Sequence, residues 1–551
     1  MPSGPLITAD APPRYGFHVV RVPSDHVAFW MLAATHVLIW VVVPSLTEHN
    51  LSLDALEMIS WGREWQLGYH KHPPLPAWIA EASCLLLGNA PWGIYLAAQL
   101  CVVTCFWSAW QLGRQLLQPW HAVCAAFVLE ASHYYTFTTP ELNNNVVSRA
   151  FWALAIVWLF RALQGNQRRM WAAAGICLGL GLLSKYDTAI LAAVMLIFGL
   201  AHPAARKQWK SVGPWLMLAT ALLTVLPHFV WLWNHDFPTI GYALRRSIVN
   251  SSTGLAQPGP QDTLLSLETI TRHLWNPIAF LLRQIPAMLP TILISASLLA
   301  LPLRLKKWNR DEALQRSYLL AMVLGPLALI LCISLVTGIR VRSMWGSALW
   351  TFTGVATLYF FELRERDDWY AVGRTLGACV VVSVIMSTAL AVRNVASPHV
   401  AQRGSRIHFP GRELAIAVEQ AWNQRDYGAL RSVGGTWWTA GNVGFYGQRR
   451  YSVYGSLSPR QSPWLSDKEF HRTGGVIVWQ VGKELDYEPK KLRQHFPDLE
   501  TSPPVSIPWA TAANVEPLRF GIAIVPPLEL PEHIRDQRPV EMATRPQATS
   551  H

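Results

Sequence analysis

Long apolar runs alternate with short polar stretches along the first 395 residues of the chain. Eight of these runs approach the ~20 residues that a bilayer-crossing helix needs, and they lie at 27–45, 91–112, 119–137, 146–163, 213–233, 317–337, 344–361 and 375–393. Three further runs, at 171–184, 186–201 and 277–303, are shorter or are interrupted by charged residues and prolines. The pattern predicts a polytopic α-helical membrane protein with about eleven transmembrane helices.

Composition supports a membrane protein. Of the 551 residues, 51% are hydrophobic and 15% are charged, and 27 are tryptophans. A net charge of +12 is compatible with nucleic-acid binding, but the basic residues occur in short clusters between apolar runs and not in one patch. We therefore expect no nucleic-acid partner.

The basic clusters predict the orientation in the membrane. They fall on one side of the predicted spans, at Arg14 and Arg21, Arg114, Arg161 with Arg168 and Arg169, Arg206 with Lys207 and Lys210, Arg304 with Lys306, Lys307 and Arg310, and Arg364 with Arg366. By the positive-inside rule this side is cytoplasmic. The tail 1–25 carries no cleavable signal and is expected to stay inside. We expect a bacterial inner-membrane protein that exports the loops 46–90 and 234–275.

The amino-acid composition changes near residue 400, after which polar and apolar segments alternate. Helical periodicity at 411–423 and 487–495, and apolar strand patterns at 474–480 and 519–525, predict an α/β domain over residues 396–530. This domain would follow the last span into the periplasm. Residues 531–551 are rich in Pro, Gln and Thr and are predicted to be disordered.

The predicted exported loop 46–90 is rich in polar residues that are suited to binding or catalysis. Read as a helix, it places Asp54, Glu57, Trp61 and Glu64 on one face. Carboxylates beside indole rings suit a sugar ligand, whereas tryptophans at this depth are also typical of the interfacial belt of membrane proteins. Farther along, the Gly-rich segment 434–446 contains Trp, Asn and Tyr and is compatible with either glycan binding or core packing.

Several motifs together resemble a known family. They are Asp54 at the start of an exported helix, Gly68-Tyr69-x-x-His72-Pro-Pro-Leu75, Thr139-Pro140-Glu141, and Gly179-Leu-Gly-Leu-Leu-Ser-Lys185-Tyr186. The set resembles the GT-C glycosyltransferases related to protein mannosyltransferases and to bacterial lipid A aminoarabinose transferases. The resemblance implies a transmembrane catalytic domain over residues 26–395. It also implies that a sugar is transferred, with inversion, from a polyprenyl phosphate to a cell-envelope acceptor such as lipid A, another glycolipid or a polysaccharide.

The resemblance assigns roles to two carboxylates. Asp54 matches the catalytic carboxylate and is expected to act as the general base that takes the acceptor hydroxyl proton. Glu141 stands where relatives commonly carry Asp, and is expected to orient the acceptor or to assist Asp54.

The donor phosphate needs positive charge or hydrogen-bond donors beside it. The expected phosphate-binding residues are Lys185, His72 and Tyr186, and the expected substrate-binding residues are Glu57, Tyr69, His70, Asn144 and His228. On the same side, Arg245, Arg246, Arg340 and Arg342 are suited to hold the lipid phosphate or an anionic acceptor, or to contact lipid headgroups.

No cofactor is predicted. A divalent cation stays possible, because His70, His72, Glu141, His228 and His235 could form a ligand set, although no pair has HExxH spacing. The seven cysteines lie in or beside apolar runs, so neither a disulfide framework nor a CxxC metal site is expected.

A transporter or flippase of lipid-linked sugars is the competing interpretation. Such proteins tend to show paired repeats and broken helices near the bilayer centre. This chain instead gathers its polar residues at one face and adds an exported domain, which favours an enzyme. The expected partners are a polyprenyl-phosphate sugar donor, a glycolipid or glycan acceptor, and membrane lipids.

Overall fold

A computed structural model describes residues 24–165, 167–242, 267–299, 302–363, 369–511 and 513–528. Some residues named in the sequence analysis lie outside these ranges: the N-terminal tail to residue 23, Arg245 and Arg246 of the predicted exported loop 234–275, Arg364 and Arg366, and the predicted disordered tail 531–551.

Seven helices in the described part of the chain are long and apolar enough to cross a membrane. They are α1 (Asp25–Thr47), α4 (Pro91–Leu116), α6 (Asn144–Gly165), α10 (Gly213–Asn234), α11 (Leu267–Ala296), α12 (Ala313–Thr337) and α14 (Trp369–Ala401). Each contains one of the predicted apolar runs or most of it, so the predicted multi-pass helical fold is confirmed.

Two other predicted crossings form shorter helices, and two do not form single helices. The shorter ones are α7 (Arg168–Ser184) and α8 (Thr188–Ala201). The run 119–137 leaves the α-helical conformation after α5 (Pro119–Phe127), and the run 344–361 forms a 3-10 segment followed by α13 (Thr353–Phe360). The single-helix prediction was wrong for both of these runs.

The two broken runs hydrogen-bond to each other. The Tyr135 hydroxyl donates to the Ser347 carbonyl at 3.1 Å, and it lies 2.7 Å from the Thr351 hydroxyl. Tyr135 and Thr351 are fully buried. Non-helical backbone is tolerated at membrane depth where protein surrounds it and supplies its hydrogen-bond partners, so tertiary contacts replace the helix here.

Contacts at the helix ends define two sides of the membrane domain. At one side, Arg114 of α4 forms an ion pair with Asp25 of α1 at 3.2 Å. At the other side, Glu48, which follows α1, accepts hydrogen bonds from Tyr95 of α4 at 3.0 Å and from Asn394 of α14 at 3.3 Å. We call this second side the loop end, because it carries the short helices α2 (Leu53–Gly62) and α3 (Leu75–Leu87). The short helix α9 (Pro203–Gln208) follows α8.

The C-terminal region folds as a small α/β domain, as predicted. Its helices are α15 (Gly411–Asn423), α16 (Thr439–Tyr446), α17 (Asp467–Thr473) and α18 (Pro489–His495). Its strands are β1 (Ser432–Gly435), β2 (Ser452–Gly455), β3 (Gly475–Gln480), β4 (Glu500–Thr501), β5 (Val505–Ile507) and β6 (Leu518–Val525). The predicted helices at 411–423 and 487–495 and the predicted strands at 474–480 and 519–525 correspond to α15, α18, β3 and β6.

The sheet has the strand order β2-β1-β3-β6-β4, and β5 also pairs with β6. Strand β1 runs parallel to both β2 and β3, with Val433 opposite Val453 and Val476. Strand β6 is antiparallel to β3, and Val476 lies opposite Ile524. Helix α16 connects the parallel strands β1 and β2. It contacts α2 at the loop end.

Candidate functional site

Helix α2 presents the predicted catalytic residue. Ser52 caps the helix, since its hydroxyl accepts a hydrogen bond from the Ala55 amide at 3.4 Å. Asp54 lies in the first turn, where the helix dipole favours a negative charge. The helix ends at Gly62, where an added Cβ would collide with the Ala77 carbonyl of α3.

The predicted acidic face of α2 is shorter than expected. Asp54, Glu57 and Trp61 belong to the helix, whereas Glu64 lies beyond its end. Glu64 instead accepts a hydrogen bond from the Ser452 hydroxyl of the C-terminal domain at 2.6 Å. Placing Glu64 on the shared face was wrong, because the chain turns after Gly62.

Asp54 and Glu141 form an electrostatically coupled pair of carboxyl groups. Burial and the negative charge of Asp54 raise the pKa of Glu141 from 4.5 to about 7. A hydrogen bond with Ser52 and the positive charge of Arg406 oppose this rise. Residues from α2 and from the Thr139-Pro140-Glu141 segment therefore lie near each other.

A third carboxylate, Glu48, lies near this pair. Burial raises its pKa, while Tyr95, Asn394 and Arg393 lower it. Glu48 in turn contributes to the raised pKa of Glu141. The sequence analysis did not select Glu48, whose partners come from α4 and α14 and meet it only in the fold.

Glu141 lines two cavities. The larger has a volume of about 570 Å³ and combines the cationic side chains Arg149 and Arg283 with apolar ones such as Met344 and Met386. The smaller, of about 290 Å³, is lined by polar groups that include Glu48, Ser52, Tyr95 and Arg393. The structure thus adds Arg149, Arg283 and Arg393 to the residues that line cavities together with Glu141.

His72 and Asn144 lie together beside this region. Asn144 begins α6, and its side-chain amide nitrogen is 3.4 Å from His72 Nδ1. Nearby, Lys71 Nζ donates to Glu57 Oε1 at 2.5 Å, so the predicted substrate-binding Glu57 is held in an ion pair. The motif residues of the loop 46–90 therefore reach the start of α6.

Lys185 lies between α7 and α8 at the same end of the membrane domain. Its Nζ donates to Asp187 Oδ2 at 2.5 Å and lies 5.3 Å from the centre of the Trp345 ring. Trp345 directly follows Met344, which lines the larger cavity. Lys185 is thus placed next to the wall of that cavity.

Tyr186 and His228 link this turn to the loop 46–90. His228 Nδ1 lies 2.7 Å from the Leu67 carbonyl, which can only accept, so Nδ1 carries a proton. In the neutral imidazole, Nε2 then accepts from the Tyr186 hydroxyl at 2.7 Å. The Tyr186 oxygen also lies 2.9 Å from the Thr239 hydroxyl. Both His228 nitrogens are engaged with protein groups, which gives this residue a structural role in the observed conformation.

Tyr69 and His70 belong to an aromatic cluster and line neither of the two cavities. Tyr69 stacks on Trp61 with ring centres 5.4 Å apart, and His70 stacks on Trp437 at 5.8 Å. Burial, followed by the charges of Lys71 and His72, lowers the pKa of His70 to about 3. A neutral His70 packs between the loop 46–90 and the C-terminal domain.

The C-terminal domain is attached to α2 through Arg63. Its guanidinium donates to the Gly444 carbonyl at 3.0 Å and to the Tyr451 carbonyl at 2.5 Å. Arg450 forms an ion pair with the buried Glu81 of α3. The Gly-rich segment 434–446, left open between binding and packing, thus lies against α2.

The described residues contain no group of three or more His, Cys, Asp and Glu side chains placed to hold a metal ion. Of the proposed histidine-carboxylate set, His228 and His235 contact the carbonyls of Leu67 and Trp231, respectively. The seven cysteines are all free.

Comparison of the architecture with solved structures identifies the fold. A crystal structure of ArnT from Cupriavidus metallidurans bound to undecaprenyl phosphate superposes with a TM-score of 0.53 at 12% sequence identity, over 91% of this chain and 98% of that chain. The chain has the GT-C fold. The predicted fold class is therefore confirmed.

Sequence comparisons agree with the GT-C fold. The family of dolichyl-phosphate-mannose-protein mannosyltransferases matches residues 71–231. Lipopolysaccharide core galacturonosyltransferase RgtA of Rhizobium johnstonii is 25% identical over 61% of this chain, and RgtB of the same organism is 28% identical over 44%. The chain covers 64% and 50% of the length of these two relatives. The predicted resemblance to GT-C glycosyltransferases is confirmed by these matches.

Proposed function

We propose that this GT-C protein transfers a sugar from a polyprenyl-phosphate donor to a glycolipid or glycan acceptor of the cell envelope, with inversion. The reaction would take place on the periplasmic side of a bacterial inner membrane. The observation that carries the proposal is the carboxyl pair Asp54 and Glu141, where Glu141 lines two cavities. Relatives named as lipopolysaccharide core and lipid A galacturonosyltransferases support the acceptor class.

In the proposed reaction, Asp54 accepts the proton of the acceptor hydroxyl while the hydroxyl oxygen attacks the anomeric carbon. The bond between the anomeric carbon and the phosphate oxygen breaks, and the polyprenyl phosphate leaves with the electron pair. A single displacement of this kind inverts the configuration. Near neutral pH, Glu141 holds its proton for part of the time, which reduces charge repulsion against the ionised base.

The larger cavity is the proposed donor site. Arg149 and Arg283 supply positive charge for a phosphate, while Met344 and Met386 provide apolar surface for the start of a prenyl chain. Lys185 lies beside the wall of this cavity, and His72 lies next to Asn144. Both would offset the negative charge that develops on the leaving phosphate. The smaller cavity, which Glu141 also lines, would receive the acceptor hydroxyl.

The test uses purified protein in nanodiscs with labelled polyprenyl-phosphate sugars, including galacturonate and aminoarabinose, and with lipid A or core lipopolysaccharide as acceptors. Wild-type protein is expected to transfer label, and Asp54→Asn is expected to abolish most of this transfer. The matched control is Asp486→Asn, which changes an aspartate that is 91% exposed in the C-terminal domain. Equal transfer by wild type and Asp54→Asn would refute Asp54 as the base. Translocation across sealed vesicles without transfer to any acceptor would identify a flippase instead.

A further inference from the structure

A buried polar cluster lies inside the membrane domain, away from the carboxyl pair. His36 of α1, Gln99 of α4 and Glu130, which follows α5, are each at most 4% exposed. His36 Nδ1 lies 2.6 Å from Glu130 Oε1, and His36 Nε2 lies 3.0 Å from Gln99 Oε1. Ionisable groups at membrane depth are costly, so a cluster of this kind calls for a functional explanation.

The hydrogen-bond pattern fixes how the cluster is arranged. The Thr139 hydroxyl donates to the Thr136 carbonyl at 2.6 Å, so its oxygen accepts from Gln99 Nε2 at 3.2 Å. Gln99 Oε1 therefore faces His36 and accepts the Nε2 proton. One further proton lies between His36 Nδ1 and Glu130 Oε1, so the His36–Glu130 pair is neutral as a whole whichever atom carries it.

The cluster ends on the segment that carries Glu141. Gln99 holds Thr139, and only Pro140 separates Thr139 from Glu141. The proline ring fixes its own φ torsion, so Thr139 and Glu141 are joined by a residue with reduced backbone freedom. The pairing of Thr139 with the Thr136 carbonyl further fixes this turn.

We propose that His36, Glu130 and Gln99 are positioning residues that hold the Thr139-Pro140 turn so that Glu141 faces Asp54. The inference rests on the proposed transferase function. Among the described residues, Glu130 Oε2 has no hydrogen-bond partner, so the contact between Glu130 Oε1 and His36 offsets the burial of this carboxyl group. Apolar side chains would fill the same space at lower cost in lipid, but they would not fix Gln99 in one orientation.

The test replaces Gln99 by Leu and uses Gln111→Leu as the matched control. Gln111 lies nearer the opposite end of the same helix and accepts a hydrogen bond from Arg161, so the control removes a comparable contact far from the turn. Transfer rates are measured from pH 5 to pH 9. Gln99→Leu is expected to lower kcat by about tenfold or more, with a smaller change in KM, because misplacement of a reacting group mainly affects the chemical step. Gln111→Leu should retain most of the wild-type kcat.

The pH profile separates positioning from a general loss of stability. If Glu141 moves away from Asp54, it loses like-charge repulsion, so the inflection that it causes near pH 7 should shift to lower pH in Gln99→Leu. A second variant, Thr139→Val, removes the last link of the cluster while keeping the side-chain shape, and should cause the same shift. It also keeps the test informative where Gln99→Leu fails to fold.

A double-mutant cycle with Glu141→Gln completes the test. If Gln99 acts through Glu141, then Gln99→Leu should have little further effect on kcat in the Glu141→Gln background. Equal fractional losses in both backgrounds, together with an unshifted pH profile, would overturn the positioning role. Absence of transfer by the wild-type protein would instead refute the proposed function.

Discussion

Lys71 and Glu57 form an ion pair within the loop 46–90, with Nζ 2.5 Å from Oε1 and the Glu57 side chain only 6% exposed. The pair joins the motif that contains His72 to helix α2, and thereby to Asp54.

Replacement of Lys71 by Met should destabilise the protein by about 1–3 kcal/mol, because Glu57 would lose the charged partner that offsets its burial. Lys71→Glu should be worse, since it places two carboxylates together. Adding Glu57→Gln to Lys71→Met should recover part of the loss. Thermal unfolding in one detergent measures all three variants, and equal midpoints for wild type and Lys71→Met would contradict the structural role.

Glu141 should make stability depend on pH. Its pKa is about 7 in the folded protein against an ordinary value of 4.5, so folding favours the protonated form. This contribution is fully present below pH 4.5 and is lost as the pH rises through 7. Between pH 4.5 and pH 9, wild-type stability should fall relative to Glu141→Gln by about 1–3 kcal/mol. A constant difference between the unfolding midpoints of the two proteins across this pH range would exclude the raised pKa of Glu141. The control is Glu488→Gln, which changes a glutamate at an exposed site.

Arg63 should connect the C-terminal domain to helix α2. Its replacement by Met leaves the carbonyls of Gly444 and Tyr451 without this donor, which should cost about 2–3 kcal/mol. Amide hydrogen exchange in α2 and α16 should become faster. Lys491→Met, which breaks an exposed ion pair with Asp486, should change exchange in these helices very little. Unchanged protection in Arg63→Met would show that the domain is held to α2 by other contacts.

Much of the fold follows from the sequence because span length and hydrophobicity are local properties. Seven long helices and the strands β3 and β6 lie where the apolar patterns predict them. The breaks within 119–137 and 344–361 could not be predicted in this way. They depend on hydrogen bonds such as that between Tyr135 and Thr351, residues that are distant in the chain.

The candidate site was only partly predictable. Resemblance to a family selected Asp54 and Glu141, and the structure couples the two carboxyl groups. Glu48 and Arg393 could not be selected, because they come together only where the ends of α1 and α14 meet. His70, in contrast, was predicted to bind substrate but packs in an aromatic cluster, since neighbouring residues in an irregular loop face different surroundings.

The most direct test of the account compares single-turnover sugar transfer by wild type and Asp54→Asn, with binding of the polyprenyl-phosphate donor measured on the same samples. The amide keeps the shape of the carboxylate and removes its basicity. We predict that donor binding changes less than threefold while the transfer rate falls by about 10²–10⁴-fold, the usual contribution of a general base. Transfer at the wild-type rate with normal donor binding would contradict the central claim that Asp54 takes the acceptor proton.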